Sequence, residues 1–445
     1  MGEEVAVAAR PELGTAATEL LRKLIRVDTS NPPGREREAQ EMLRDLLSEA
    51  GFECELAARD PDRPNLVARL RGGGDGPVLC LLGHVDTVPA EPSEWSRDPW
   101  SGDLEGGEVW GRGALDMKGQ VAAEVAAGAA LARDGWRPER GELMLVITAD
   151  EEAGAGYGAR WLCEERPELV RSDLVINEGG GVVLDVDGRR LYTIALGEKG
   201  VFRFRVRARG RAGHGSLPRI GDNALLKLAP ALERLSAQPP FEPTPEGIEF
   251  LSRLLGEPVG SDPQSLAGAL GRLASRDPAA AAFLAEPMLG VTVAPTMITA
   301  SRKENVIPSR AEVMVDCRVP TERDEGYVRD RVDAVLGVGE WELEFAERVV
   351  GNRSQAGGPL WGAIEAWLAG ADPGAGLVPT VMPGFSDSHW FRKAFGATVY
   401  GFCPHNAMRL AELAPLIHGA DERVAVADLE LASGFFYDLP RQVLG

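Results

Sequence analysis

Short apolar runs separated by stretches with helical spacing shape the first half of the chain. Residues 65–70, 77–82, 143–148 and 174–177 are apolar almost throughout, and a strand that is apolar on both sides has to be covered on both sides. Helical spacing fills the gaps at 119–134 and 157–165. Before them, residues 12–50 read as two helices broken at Asn31-Pro32-Pro33-Gly34. Strands and helices in this alternation predict an α/β sheet packed on both faces.

From about Gly197 the texture changes. Residues 201–207 alternate strictly, which marks a strand with one face in solvent. A helix (223–238), a strand (296–303), a paired strand (311–319), a helix (324–336) and a last strand (341–349) follow. The order βαββαβ is a split βαβ sandwich. A Pro/Gly-rich, partly helical insertion at 241–287 stands outside that order. After Gly351 the first texture returns, with a helix at 360–369, a strand near 398–402 and a final helix from Ala427. The expectation is one domain inserted in another: 1–198 and 350–445 around 199–349.

Charge and composition narrow the function classes. A formal charge of -20 argues against nucleic acid, whose binding needs a concentrated basic face. No apolar run approaches the roughly 18 residues needed to span a bilayer, and residues 1–10 carry acids where a leader would carry bases. The expectation is a cytoplasmic protein with no membrane partner. The five cysteines show no CxxC spacing, so neither a disulfide framework nor a thiolate zinc site is expected. Cys80, inside an apolar run, reads as core.

The informative acids sit beside histidines at strand ends. His84 and Asp86 close an apolar strand at i and i+2, on one side of it. A carboxylate there can fix the ring's tautomer and improve it as a ligand. A lone histidine after a strand is usually a packed core or loop residue, and Asp116, in a Gly-rich loop before a helix, would alone read as an N-cap. Asp150-Glu151-Glu152 follow the next strand, and adjacent acids at a sheet edge repel unless a cation joins them. Glu178 ends a third strand, and His418 supplies a late imidazole. His84, Asp116, Glu152, Glu178 and His418 form a nitrogen and oxygen ligand set. Two divalent ions, zinc first and manganese or cobalt as alternatives, suit it, with one aspartate bridging them.

The segments HVDT, GRGALDMKG, ADEEAG, NEGG, GHGS, NVIP and IHGADERV, in this order, resemble the M20 family of metallopeptidases, which includes carboxypeptidase G-like enzymes, aminoacylases, dipeptidases and diaminopimelate desuccinylases. The resemblance spans nearly the whole chain. It implies a mixed-sheet α/β catalytic domain carrying two metals, with an inserted ferredoxin-like lid and dimerisation domain. Asp116 would bridge the ions, His84 and Glu178 would serve one, and Glu152 and His418 the other. Asp86 would orient His84, and Glu151 would be the general base. A cis peptide is expected after Asp116.

Within the inserted domain, His214 would by itself be a turn histidine. The resemblance makes it a donor to the scissile carbonyl, commonly across a homodimer interface, with Asn305 reaching toward the same region. Lys199 and Arg318 match positions near the expected hinges at Gly197 and Gly351. Surface salt bridges and substrate-carboxylate binding stand open for both. Many relatives carry Asp-x-Arg before the last metal histidine, whereas this chain reads Ser386-Asp387-Ser388-His389. His389 stays a candidate substrate residue, but imidazole cannot replace a guanidinium fork. His405 is either structural or near the substrate.

The function implied is hydrolysis of an amide bond in a dipeptide, short peptide or N-acyl amino acid. A non-catalytic binding protein on the same fold is the alternative, and it would usually have lost a ligand or the base; all are present here. A barrel amidohydrolase would show H-x-H where this chain has H-x-D.

Overall fold

The computed structural model describes residues 10–445. The acidic start at 1–9, on which the expectation about a leader rests, lies outside the described residues. The chain forms two compact units. One contains the residues up to Gly197 with Arg353–Thr380 and Ser386–Gly445, and the other contains Glu198–Asn352 with Val381–Phe385. The short segment Val381–Phe385 was expected with the first unit, but it hydrogen-bonds into the second: Val381 N donates to Met288 Sδ and Lys199 N to Met382 O.

The first unit opens with helices Pro11–Ile25 and Arg37–Ala50. It continues with β1 (Glu53–Ala57), β2 (Asn65–Arg71), β3 (Val78–His84), β4 (Asp103–Glu105), β5 (Glu108–Trp110), β6 (Glu142–Thr148), β7 (Leu174–Asn177), β8 (Val183–Val186) and β9 (Arg189–Glu198). The second unit carries β10 (Gly200–Val201), β11 (Phe204–Arg209), β12 (Gly213–His214), β13 (Thr292–Thr299), β14 (Val306–Ile307), β15 (Arg310–Val319) and β16 (Trp341–Phe345). β17 (Gly376–Met382), β18 (Thr398–Gly401) and β19 (Arg423–Ala425) come after them.

In the first unit one large sheet has the order β1-β2-β6-β3-β7-β18-β9-β17, with β8 on β9. β6, β3, β7 and β18 are mutually parallel, while β1, β2 and β9 join antiparallel, so the sheet is mixed. β3 and β6 are buried along nearly their whole length, as continuous apolar runs require. Helix Lys118–Arg133 is buried on almost every side, between the sheet and the helices Pro11–Ile25 and Val426–Leu444. Its small residues permit that close packing. At Gly119 a Cβ would fall 2.2 Å from the Ala114 carbonyl oxygen, so a larger residue would push the helix from the loop that carries Asp116.

The second unit is an antiparallel sheet ordered β13-β15-β11-β16, in the sequence βαββαβ. Helices Ala224–Leu235 and Glu325–Leu336 build its core with Phe204, Val206, Val313, Val315, Leu228 and Val328. Three predicted boundaries shift. The strand expected at 296–303 runs from Thr292 to Thr299, because Val293 enters the core and Ser301 turns the chain by accepting from Lys303 N. The run 201–207 breaks at Phe202-Arg203, where Phe202 N bonds to Cys317 O. The last strand stops at Phe345, because Ala346 N and Glu347 N both turn onto Arg203 O. The insertion at 241–287 forms helices Pro245–Leu255 and Pro263–Ala274, capped by Thr244 and Asp262, with short helical turns after them. Among the described residues no helix is long and apolar enough to cross a membrane.

Candidate active site

β3 lies between β6 and β7, and its register pairs His84 with Thr148 and Leu81 with Ile176. The three C-terminal ends therefore stop nearly level, the side on which parallel sheets bind ligands. Polar residues close each strand: His84 to Asp86 at the end of β3, Asp150 to Glu152 after β6, and Glu178 after β7.

Asp86 is fully buried and fastens these ends together. Its carboxylate accepts from Asn31 Nδ2 at 2.9 Å, Glu151 N at 3.1 Å and Glu152 N at 3.2 Å. His84 Nδ1 lies nearer the Asp86 backbone carbonyl, at 3.0 Å, than the carboxylate, at 3.5 Å. The carboxylate expected to orient His84 thus mainly holds the backbone of the acid pair, because peptide N–H groups reach its oxygens first. A carbonyl only accepts, so Nδ1 carries the ring proton and Nε2 presents a lone pair.

That lone pair faces Asp116 Oδ1 at 3.2 Å and Glu151 Oε2 at 3.9 Å. Asp116 Oδ2 lies 3.2 Å from His418 Nε2, which is also 3.3 Å from Glu152 Oε2. The two oxygens of Asp116 therefore stand between two imidazoles, as a bridging group would. The peptide bond after it is cis, as the resemblance implied.

The residues fit divalent cations. Ligand atoms of His84, Glu151 and Glu178 lie within 4.8 Å of one another, as do those of His84, Asp116 and Glu152. Glu152 Oε1 is buried without a protein partner. An imidazole nitrogen and a carboxylate oxygen at hydrogen-bond distance need a proton or a cation between them, and the donor set, all nitrogen and oxygen, suits a divalent ion.

The protonation of the protein alone reflects this crowding. Burial, then the neighbouring Glu178, pushes Glu151 well above the usual carboxyl range, and burial, then Asp116, does the same to Glu178. Burial would depress His84, but the carboxylates of Asp116 and Asp86 outweigh it and raise the ring well above its ordinary value. His418 is pushed up to about 10 by its bonds to Asp116 and Glu152. Crowded like charges favour protons on the carboxyl groups, and carboxylates favour them on the imidazoles.

Several supporting residues escaped the sequence reading. Glu422 accepts from Gly113 N, Leu115 N and Asp116 N and pairs with Arg112 Nη1 at 2.7 Å, while Arg112 Nη2 reaches His418 O. One buried carboxylate thus joins the Asp116 loop to the His418 loop. Its only sequence signal was its place in the segment after His418, because the contact spans more than three hundred residues. Asp150 accepts from Asn31 and from Arg63, whose guanidinium also meets Glu36. Asp387, pushed up to about 7 by burial, takes part in a bond with Thr148.

The remaining candidates fall elsewhere. β12 pairs with β14, so His214 lies opposite Val306, and Gly215 N bonds to Asn305 O; the second unit thus brings His214 and Asn305 together, both exposed. His214 Nδ1 accepts from Ser216 N at 3.2 Å, which leaves Nε2 as the donor of the neutral ring. Lys199 is corrected: it is neither a surface ion pair nor a group open to substrate. It is buried, its Nζ donates to Pro287 O and Gly290 O, and burial draws it down to about 7. Arg318 pairs with Asp316 at 2.9 Å, the salt-bridge alternative. His389 is buried edge-on to Trp390, and burial pulls it down to about 4, so it carries no charge with which to clamp a substrate carboxylate near neutral pH. His405 is structural: it lies 3.6 Å from Asp428, whose carboxylate also holds the backbone of Asn406, Ala407 and Met408.

Known proteins share this framework. The profile of peptidase family M20/M25/M40 matches residues 80–442. A succinyl-diaminopimelate desuccinylase of Thioalkalivibrio sulfidiphilus is 30% identical over 436 residues, covering 96% of this chain and 98% of the relative. One from Rhodospirillum centenum is 30% identical over 427 residues, with 92% of each chain covered. Among solved structures, the M20 family metallo-carboxypeptidase Sso-CP2 of Sulfolobus solfataricus superposes with a TM-score of 0.70 at 19% identity, over 96% of this chain and 99% of that one. Human carnosine dipeptidase 1 gives 0.69 at 16% identity, over 97% and 98%. At such identities the structural likeness speaks for the fold alone.

Proposed function

The chain belongs to peptidase family M20/M25/M40, and from that premise we propose that it is a two-metal hydrolase cleaving the amide bond of a dipeptide, short peptide or N-acyl amino acid. The observation that carries the reading is Asp116, whose two oxygens each face a different imidazole inside a cluster of half-buried acids. His84, Asp116 and Glu178 would hold one ion, and Asp116, Glu152 and His418 the other, with zinc the ion that suits this donor set first and manganese or cobalt next. Ions held there acidify water and polarise a carbonyl.

The chain's own residues do the rest. Glu151 takes the proton of the attacking water and returns it to the leaving nitrogen, a role that suits its place beside Glu152 at the end of β6 and within ligand distance of His84 and Glu178. Glu152, engaged with His418, cannot do both tasks, so the adjacent acids divide the work. Asp86 sets the backbone of that pair. His214, with Nε2 as donor, is proposed to stabilise the developing oxyanion. The desuccinylase relatives at 30% identity support an N-acyl amino acid as readily as a peptide. The absence of an arginine at position 389 weighs against a strict carboxypeptidase specificity.

The test is Glu151→Gln in zinc-loaded protein, assayed against dipeptides and N-acyl amino acids. Turnover falls at least ~10²-fold while metal analysis still finds both ions. Near wild-type turnover removes Glu151 from the mechanism. We also propose a homodimer through the second unit. β13 pairs with β15 and with no other strand among the described residues, and it exposes Met297 and Ile298, an edge of the kind that a second copy covers. Mixing His214→Ala with Glu151→Gln under subunit exchange restores activity if His214 acts in trans; no recovery despite confirmed exchange assigns it to its own chain or to no role.

A further inference from the structure

The segment Ser386–Trp390 departs from the family pattern, and its histidine is buried. The two residues before that histidine occupy an unusual place. They begin the helix Ser388–Phe395, and each reaches the end of a different strand. Asp387 Oδ2 lies 2.7 Å from Thr148 Oγ1 at the end of β6, and Thr148 Oγ1 is also 3.1 Å from the carbonyl of Gly83 in β3. Ser388 Oγ accepts from Asn177 Nδ2 at 2.9 Å, at the end of β7. All four side chains are buried.

β6 and β7 are not neighbours, since β3 lies between them. Each is laddered to β3, β6 as far as Thr148 and β7 as far as Ile176, but no ladder bond joins the two directly, and the distance between their ends sets the separation of Glu151 and Glu152, just past β6, from Glu178, just past β7. The acids repel one another, so the strand ends are pressed apart whenever cations are missing. Resting on the hydrolase reading above, we propose that Asp387 and Ser388 are positioning residues. Through Thr148 and Asn177 they brace the ends of β6 and β7 across β3, and so hold the two sets of acids at ligand spacing. Neither touches the reacting atoms. Buried hydroxyl and amide bonds suit the task because a broken one leaves an unsatisfied polar group, which makes the geometry stiff.

The test compares the double variant Thr148→Val/Ser388→Ala, which removes both hydroxyls at little change in volume, with Thr148→Ser, which keeps both hydroxyls and removes only a methyl group. Two readouts are taken on the full chain: zinc affinity by competition with a chelator, and amide hydrogen exchange at 148–153 and 177–181 in metal-free protein. The double variant weakens zinc binding by about 10-fold or more, the usual scale for a group supporting a ligand. It also exchanges faster at those two segments while the rest of the chain is unchanged, and it lowers kcat with little change in KM. Thr148→Ser recovers most of the affinity. Wild-type affinity and exchange in the double variant overturn the brace, as does an equal loss in Thr148→Ser, which would assign the effect to packing. If the double variant does not fold, Ser388→Ala alone decides by the same local exchange. If the wild-type protein cleaves no amide, the hydrolase reading fails, whereas exchange in the metal-free protein still judges the brace.

Discussion

Two groups of acidic side chains in this molecule are handled in opposite ways. On the outer face of the second unit's sheet, acids meet arginines across neighbouring strands and at their ends. Arg203 sits between Asp316 at 2.8 Å and Glu347 at 2.6 Å, Arg205 reaches Glu312, Arg207 joins Glu312 and Glu344, and Arg209 reaches Glu342. At the strand ends of the first unit, Asp116, Glu151, Glu152 and Glu178 crowd together around imidazoles, and no lysine or arginine pairs with any of them among the described residues. The protein does place arginines nearby, but on supporting acids: Arg63 on Glu36 and Asp150, and Arg112 on Glu422. Acids that carry structure are therefore met by arginine or, like Asp86, Asp387 and Asp428, by backbone N–H, amide or hydroxyl groups, whereas the clustered acids at the strand ends face imidazoles and one another. Net acidity says little; the positions from which cationic side chains are withheld are informative.

The sharpest way to break this contrast is Asp116→Ala. If the unpaired acids exist for cations, removing the one that faces both imidazoles disturbs both ions at once. Metal analysis after dialysis is expected to find neither ion at full occupancy, and turnover falls at least as far as in Glu151→Gln. Two tightly held ions in this variant would show that Asp116 does not bridge.

The same contrast explains what could be read from the sequence. The first unit's strands were legible because buried parallel strands are continuous apolar runs, and the acids after them stood out against that background: His84, Asp116, Glu151, Glu152 and Glu178 meet in one place. β9, β17 and helix Ser388–Phe395 went unread: β17 carries Pro379 inside its apolar run, which argues against a strand, and the helix has only eight residues over which its period can show. Among the supporting residues, Glu422 and Asp387 were invisible for a different reason. An acid that accepts backbone N–H groups, or that bonds a threonine hydroxyl, looks in sequence like any surface acid until the fold brings its partner from hundreds of residues away. Lys199 shows the reverse case, a charged residue read as an exposed group that the fold buries against two carbonyl oxygens. The insertion was read only as partly helical, although Thr244-Pro245 and Asp262-Pro263 are the residues that start its helices. Its place beside the sheet depends on tertiary packing that no local pattern encodes.

The smallest expected effect tests the other half of the comparison. If the arginine ladder is only a solvated structural face, then Glu347→Gln, which takes one of two carboxylates from a partly exposed Arg203, should hardly matter. Exposed ion pairs contribute little even with good geometry, because water screens them and two long side chains must be held still. Arg203 also keeps Asp316. The expected result at about 0.15 M salt is a Tm lowered by no more than about 2 °C. At about 1 M salt, where screening acts within ~3 Å, even that difference should fade, and zinc affinity should equal the wild type's at both ionic strengths. A loss of roughly 10 °C, well beyond what an exposed pair contributes, or any change in zinc affinity, would mean that the ladder is coupled to the unpaired acids and that the two regions are not the separate arrangements their pairing suggests.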